Sequence, residues 1–148
     1  MSELEPKVAE VIEAYKQAAA ARDIDAFMRI YDPAARVFDA WGVWSFEGVA
    51  PWRAAIESWF ASHPADRLQV TFEDVSSVSD AAFASVSAIV TYAIVTTQGA
   101  PLHAMHNRLT WVLKKDGSGL RVIHEHTSVP VGFEDMKAIL QRETGNPQ

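Results

Sequence analysis

Four of the five histidines in this 148-residue chain fall between His103 and His126, in two apolar-rich runs that flank Lys114–Gly119. A Gly-rich polar cluster between runs of β-type residues is the pattern of an antiparallel hairpin. Alternate residues of a strand share a face. His106, Arg108 and Thr110 therefore lie together on the first strand; His124, His126 and Ser128 lie together on the second, with Leu120 and Val122, and Glu125 takes the opposite face. The turn decides whether the two polar sets meet. A three-residue loop brings His124 and His126 onto the face of His106 and Arg108, and a two- or four-residue loop places them with Asn107 and Trp111. The first arrangement mixes polar and apolar side chains less and is the one expected. So converged, His106, Arg108, His124 and His126 form a cationic wall suited to a carboxylate or enolate oxygen. The competing reading is histidines hydrogen-bonded within a sheet or at a dimer interface. His-x-His also suits a metal, but with Glu125 on the other face no metal is assigned, and no cofactor.

Two further residues are placed to do chemistry. Asp39 stands between Val37 and Trp41 on a strand-like run, where partial desolvation raises a carboxyl pKa and makes a better proton acceptor near neutrality. Its bland alternative is an aspartate satisfied by backbone N–H groups or by Arg36. Tyr15 projects from the apolar face of a helix, so its hydroxyl either donates to a ligand oxygen or finds a partner in the core.

The elements that must position these groups follow from periodicity. Val8, Val11, Ile12, Tyr15, Ala18 and Ala19 recur at helical spacing within residues 6–22. Asp23 caps a short second helix that ends at Asp32-Pro33. Residues 36–41 read as a strand with Val37, Asp39 and Trp41 on one face. Pro51 opens a helix whose stripe is Trp52, Ala55, Ile56, Trp59 and Phe60, ending before Pro64. A half-buried strand over 68–73 and a long strand over 82–97 lead into the hairpin, and Phe133, Met136, Ile139 and Leu140 suggest a terminal helix docked on the body. Residues 144–148 read as a frayed tail. Helices followed by strands favour an α+β fold, a curved antiparallel sheet wrapped by the N-terminal helices into a cone-shaped barrel with an internal pocket. Trp41 and Trp59 are expected to line that pocket and make it fit for a flat or cyclic hydrophobic ligand; Trp44 and Trp111 are expected on the outer sheet face, favouring a homodimer through the sheet.

Composition bounds the rest. The length suits one domain over 1–148. A net charge of −6 with no basic cluster argues against nucleic acid or an anionic membrane as partner. No cysteine is present, so disulfides and thiolate chemistry are excluded. The acidic start lacks the pattern of a signal peptide and no stretch suits a bilayer, which makes the cytoplasm the expected location.

Tyr31-Asp32-Pro33 with Phe38-Asp39, then Phe46-Glu47-Gly48 and an aromatic helix, and the ending Lys115-Asp116-Gly117 through Val122-Ile123-His124-Glu125-His126-Thr127-Ser128, resemble the SnoaL-like and ketosteroid-isomerase-like proteins of the nuclear transport factor 2 superfamily. The ending is also similar to the association domain of calcium/calmodulin-dependent kinase II. The resemblance covers nearly the whole chain. It implies Tyr15 in the place of the isomerase's oxyanion-hole tyrosine and Asp39 in the place of its catalytic base. The isomerase's third group, a protonated aspartate on the penultimate strand, has no counterpart, since residues 107–113 hold no acid. Two functional readings stand open: an enzyme that moves a proton next to a carbonyl or activates water, and a non-catalytic domain that binds a small hydrophobic or acidic molecule or builds an oligomer.

Overall fold

The helical periodicity of the first segment is realised as α1 (Pro6–Ala21), which buries Val8, Val11, Ile12, Tyr15, Ala18 and Ala19. The computed structural model describes residues 4–117 and 119–142; residues 1–3, Ser118 and residues 143–148, with the expected tail, lie outside that range. Arg22 ends α1 with a left-handed backbone, φ +53°. Its guanidinium donates to the carbonyls of Phe60, Ser62, His63 and Asp66, tying the end of α1 to the end of α3 (Val49–Ala61). Asp23 caps α2 (Ile24–Met28) through the Ala26 N–H at 3.0 Å.

Six strands follow: β1 (Tyr31–Phe38), β2 (Phe46–Glu47), β3 (Arg67–Ser79), β4 (Phe83–Val95), β5 (Pro101–Asp116) and β6 (Gly119–Ser128). They form one sheet in the order β2-β1-β6-β5-β4-β3. The sheet is open, with β2 and β3 as edges. Every pairing is antiparallel except β1 with β6, which is parallel because the last strand inserts between β1 and β5. Irregularities between Tyr31 and Arg36, between Glu73 and Ser76, and near Ile123 break the ladders; such bulges bend a sheet and let it wrap the helices. Among the described residues no helix is long and apolar enough to cross a membrane.

Several elements differ from expectation. β1 begins at Tyr31, five residues before the expected strand, because the irregularity near Pro33 accommodates a residue that cannot donate to the ladder. Among the described residues no terminal helix forms. Residues 129–142 run as turns with an isolated bridge between Val131 and Ala138, and the Leu140 carbonyl accepts from the His106 N–H. Phe133 and Met136 are exposed, so that segment lacks the apolar contact a docked helix needs. Trp111 faces inward and is fully buried, whereas Trp44 is 97 % exposed on the β1–β2 connection.

The hairpin register departs most instructively. Asp116 pairs with Gly119, leaving two residues between them. By strict alternation that turn would put the histidines with Asn107 and Trp111. However, Leu113 pairs with Val122 while Val112 pairs with His124, so Ile123 is an extra residue in β6. The bulge reverses the parity. Leu120, Val122, Glu125 and Thr127 all turn inward, and His124 and His126 take the outer face opposite Val112 and Thr110.

Candidate functional site

A cavity of about 580 Å³ lies between α1, α3 and the inner face of the sheet. Its apolar wall includes Trp41, Phe46, Ile56 and Trp59, and its polar groups include Tyr15, Asp39, Tyr92, Asn107 and Glu125. The two expected cavity tryptophans, Trp41 and Trp59, are both there, as are Asp39 and Tyr15.

Asp39 follows directly after β1 and is held by its neighbours. Thr127 Oγ1 donates to Asp39 Oδ1 at 3.1 Å, and the Ala40 N–H donates to Thr127 Oγ1 at 2.9 Å. Burial pushes the Asp39 carboxyl above its ordinary range, against the lowering effect of Thr127 and of the Trp41 and Ala40 backbone. Asp39 thus faces the cavity, held by the Thr127 hydroxyl, with the Trp41 and Ala40 backbone favouring its charge. Its hydrogen bond runs to Thr127, not to Tyr15.

Tyr15 is 2 % exposed, with its hydroxyl 3.0 Å from that of Tyr92. Burial first, then the nearby Tyr92 and Glu125, raise the Tyr15 phenol well above its ordinary pKa. It remains a neutral hydroxyl, able to donate to a ligand while accepting from Tyr92. Tyr92 is raised as well, chiefly by burial, with the Asn107 amide working in the other direction.

The group that sequence reasoning missed is Glu125. It is 1 % exposed and faces the cavity from β6, the side opposite the histidines. Its Oε1 accepts from the Tyr31 hydroxyl at 2.6 Å and from the Trp111 indole N–H at 2.9 Å. Burial is the main cause that lifts its pKa to about 7, and the charge on Asp39 adds to it, opposed by those two hydrogen bonds. A charge on Asp39 disfavours a second negative charge on Glu125. The signal was the adjacent apolar pair Val122-Ile123: a bulge there puts Leu120 and Val122 inside together with Glu125.

Two cavity-wall atoms are buried without a hydrogen bond, Asn107 Oδ1 and Trp52 Nε1. The indole N–H of Trp52 acts favourably on an ionised Tyr31 without reaching hydrogen-bond geometry.

His106, Arg108, His124 and His126 do share one face, as expected, but it is the outer face of the sheet, away from the cavity. Each is engaged there. His124 Nδ1 lies 2.8 Å from the Arg36 carbonyl, His126 packs edge-on against Phe38, Arg108 Nε donates to Ser128 Oγ at 3.0 Å, and His106 Nδ1 accepts from the Arg142 N–H at 3.1 Å. The cavity's own imidazoles are His63 and His103 instead. Among the described residues no three His, Asp or Glu side chains converge in a metal-binding group.

A cone of helices on a bent sheet, with an apolar chamber holding carboxyls and phenols, defines a nuclear transport factor 2-like fold. The SnoaL-like domain profile matches residues 8–132, and the chain belongs to that family. No curated protein matches the sequence. Similar solved structures include a nuclear transport factor 2-like protein of unknown function from Pseudomonas putida KT2440, 22% identical, with a TM-score of 0.82 over 94% of this chain and 95% of that one. Aln2 from a Streptomyces species is 16% identical with a TM-score of 0.75 over 83% and 88% of the two chains. The association domain of C. elegans CaMKII is 16% identical with a TM-score of 0.65 over 83% and 93%. These likenesses concern the fold.

Proposed function

We propose that the cavity binds a hydrophobic cyclic small molecule and that Asp39 moves a proton on it, at a carbon next to a carbonyl or from an attacking water. The observation that carries this reading is that Asp39 and Tyr15 line one chamber of about 580 Å³, a volume suited to a small organic ligand. In the carbon-acid version, on a ketone with a β,γ double bond, the Asp39 carboxylate takes the proton between the two, the C–H electron pair forms a new C=C bond to the carbonyl carbon, and the C=O π pair moves onto oxygen as a dienolate. Tyr15 then donates to that oxygen. Returning the proton from Asp39 to a different carbon completes an isomerisation.

The carboxyls in the chamber favour a neutral ligand over an acidic one. An acidic ligand drew its support from the histidine and arginine wall, which lies outside the cavity. The experiment is a thermal-shift screen across enones, polyketides and small aromatic acids, since a ligand of the folded state raises the melting temperature. A hit that is turned over by the native chain and by Asp39→Asn at equal rates removes Asp39 as the base.

The second reading is a binding or assembly domain. It is supported by the uncovered outer face of the sheet and by the likeness to a kinase association domain, and its expected form is a homodimer through that face. Sedimentation equilibrium tests it, and a monomer at micromolar concentration rejects it. The cysteine-free composition suits a reducing compartment and so a cytoplasmic site of action.

A further inference from the structure

Glu125 and Asn107 present two atoms that the fold leaves unused. Both hydrogen bonds to Glu125 end on Oε1, and no described residue bonds to its Oε2. With the Oε1 lone pairs occupied by Tyr31 and Trp111, a proton on this carboxyl resides on Oε2. Asn107, 6 % exposed on the neighbouring strand, buries Oδ1 without a donor, and an unpaired buried acceptor is costly until something fills it. Both residues line the chamber that holds Asp39, and among the described residues its wall has no lysine or arginine, its basic side chains being His63 and His103.

We infer that Glu125 Oε2 and Asn107 Oδ1 form the polar grip of the cavity, selecting a neutral ring compound that carries a carbonyl for the Glu125 O–H and a hydroxyl for the Asn107 amide oxygen. This deepens the small-molecule reading above and depends on the chamber being a ligand site, though not on Asp39 being a base. Glu125 stands one step along the sheet from the base, so one carboxyl anchors the ligand while the other reaches it. A carboxylate ligand is rejected, because it offers no donor to Asn107 and brings a further negative charge beside Asp39.

The test is calorimetric titration of the full chain at about pH 6 with tetralin, 1-tetralone, the 4- and 5-hydroxy-1-tetralones and 1-naphthoate. One hydroxytetralone is expected to bind roughly 3- to 10-fold tighter than 1-tetralone, and 1-tetralone tighter than tetralin by a similar factor, the gain of one hydrogen bond each. Naphthoate is expected at least about tenfold weaker than tetralone. Asn107→Leu should erase the gain from the hydroxyl. Glu125→Gln should keep the gain from the carbonyl, because its amide oxygen still accepts from Tyr31 and Trp111 while its NH₂ takes the place of the Oε2 proton; Glu125→Leu should lose it. Tetralin binding as tightly as the hydroxytetralones, or naphthoate binding tightest, overturns the grip and leaves the chamber a ligand site. Failure of all five probes to bind overturns both.

Discussion

Thr127 holds Asp39 from the adjacent strand: its hydroxyl donates to Asp39 Oδ1 at 3.1 Å and accepts from the Ala40 N–H at 2.9 Å. The parallel pairing of Val37 with Glu125 makes this contact and also sets Glu125 beside Val37, one step back along the strands. A single register therefore presents two carboxyls to the cavity. They differ in environment: Asp39 keeps a hydrogen bond to a hydroxyl, while Glu125 is fully buried against the donors of Tyr31 and Trp111. Environments that push two carboxyls apart are the usual basis for dividing the roles of base and acid.

Thr127→Val removes the hydrogen bond that stabilises ionised Asp39, so the Asp39 pKa should rise further above its ordinary value. Carbon-detected NMR of the side-chain carboxyl across a pH series reads it directly. An unchanged or lowered midpoint contradicts the role assigned to Thr127. The stability cost should be about 1–3 kcal/mol, because the variant loses two hydrogen bonds and leaves the Ala40 N–H without its acceptor.

Glu125 gives a pH dependence of stability with a defined sign. Its folded pKa is raised from 4.5 to about 7, so the folded chain holds this proton more tightly than the unfolded one. The associated stability is complete below about pH 4.5 and is lost as pH rises through about 7. The full change is on the order of 3 kcal/mol. Glu125→Gln should flatten this part of the curve. Urea denaturation at about pH 4.5 and pH 8 measures the difference, and equal pH slopes in the two proteins would refute it.

Tyr31→Phe takes one donor from Glu125 Oε1 and leaves Trp111. The chain should lose about 1–3 kcal/mol, a cost typical of a buried group losing its partner, and the Glu125 titration should move upward because the Tyr31 hydrogen bond lowers it. Calorimetric melting at about pH 8, where Glu125 is charged, is the sensitive measurement.

Tyr15→Phe separates core from site. The ring contacts with Phe27, Phe72 and Trp111 survive, so stability should fall by only about 1 kcal/mol. Turnover of a hit compound should fall roughly 100-fold or more if the hydroxyl donates to the oxyanion. Unchanged turnover returns Tyr15 to a packing role.

The outer histidines provide a control. His124→Ala and His126→Ala should leave binding in the cavity unchanged, since their side chains stand on the other face of the sheet. If the outer face is a dimer interface, the same variants should weaken the dimer, which analytical ultracentrifugation resolves.

Much of this was legible in the sequence because it rests on local periodicity. The six buried residues of α1, the Asp23 cap, the Trp52–Ile56–Phe60 stripe, and the placing of Asp39, Tyr15, Trp41 and Trp59 in the pocket follow from 3.6- and 2-residue spacing and from the resemblance. What the tertiary structure decided was parity and partnership. One extra residue at Ile123 reverses which β6 side chains face inward, and no alternation rule contains that bulge. It carried the histidines out of the site and brought Glu125 in. Tyr31 and Trp111, 94 and 14 residues away from Glu125 in sequence, become its hydrogen-bond donors only when the last strand slots between β1 and β5. Burial, and with it the shifted proton affinity of Glu125, is a property of those neighbours and not of the glutamate itself.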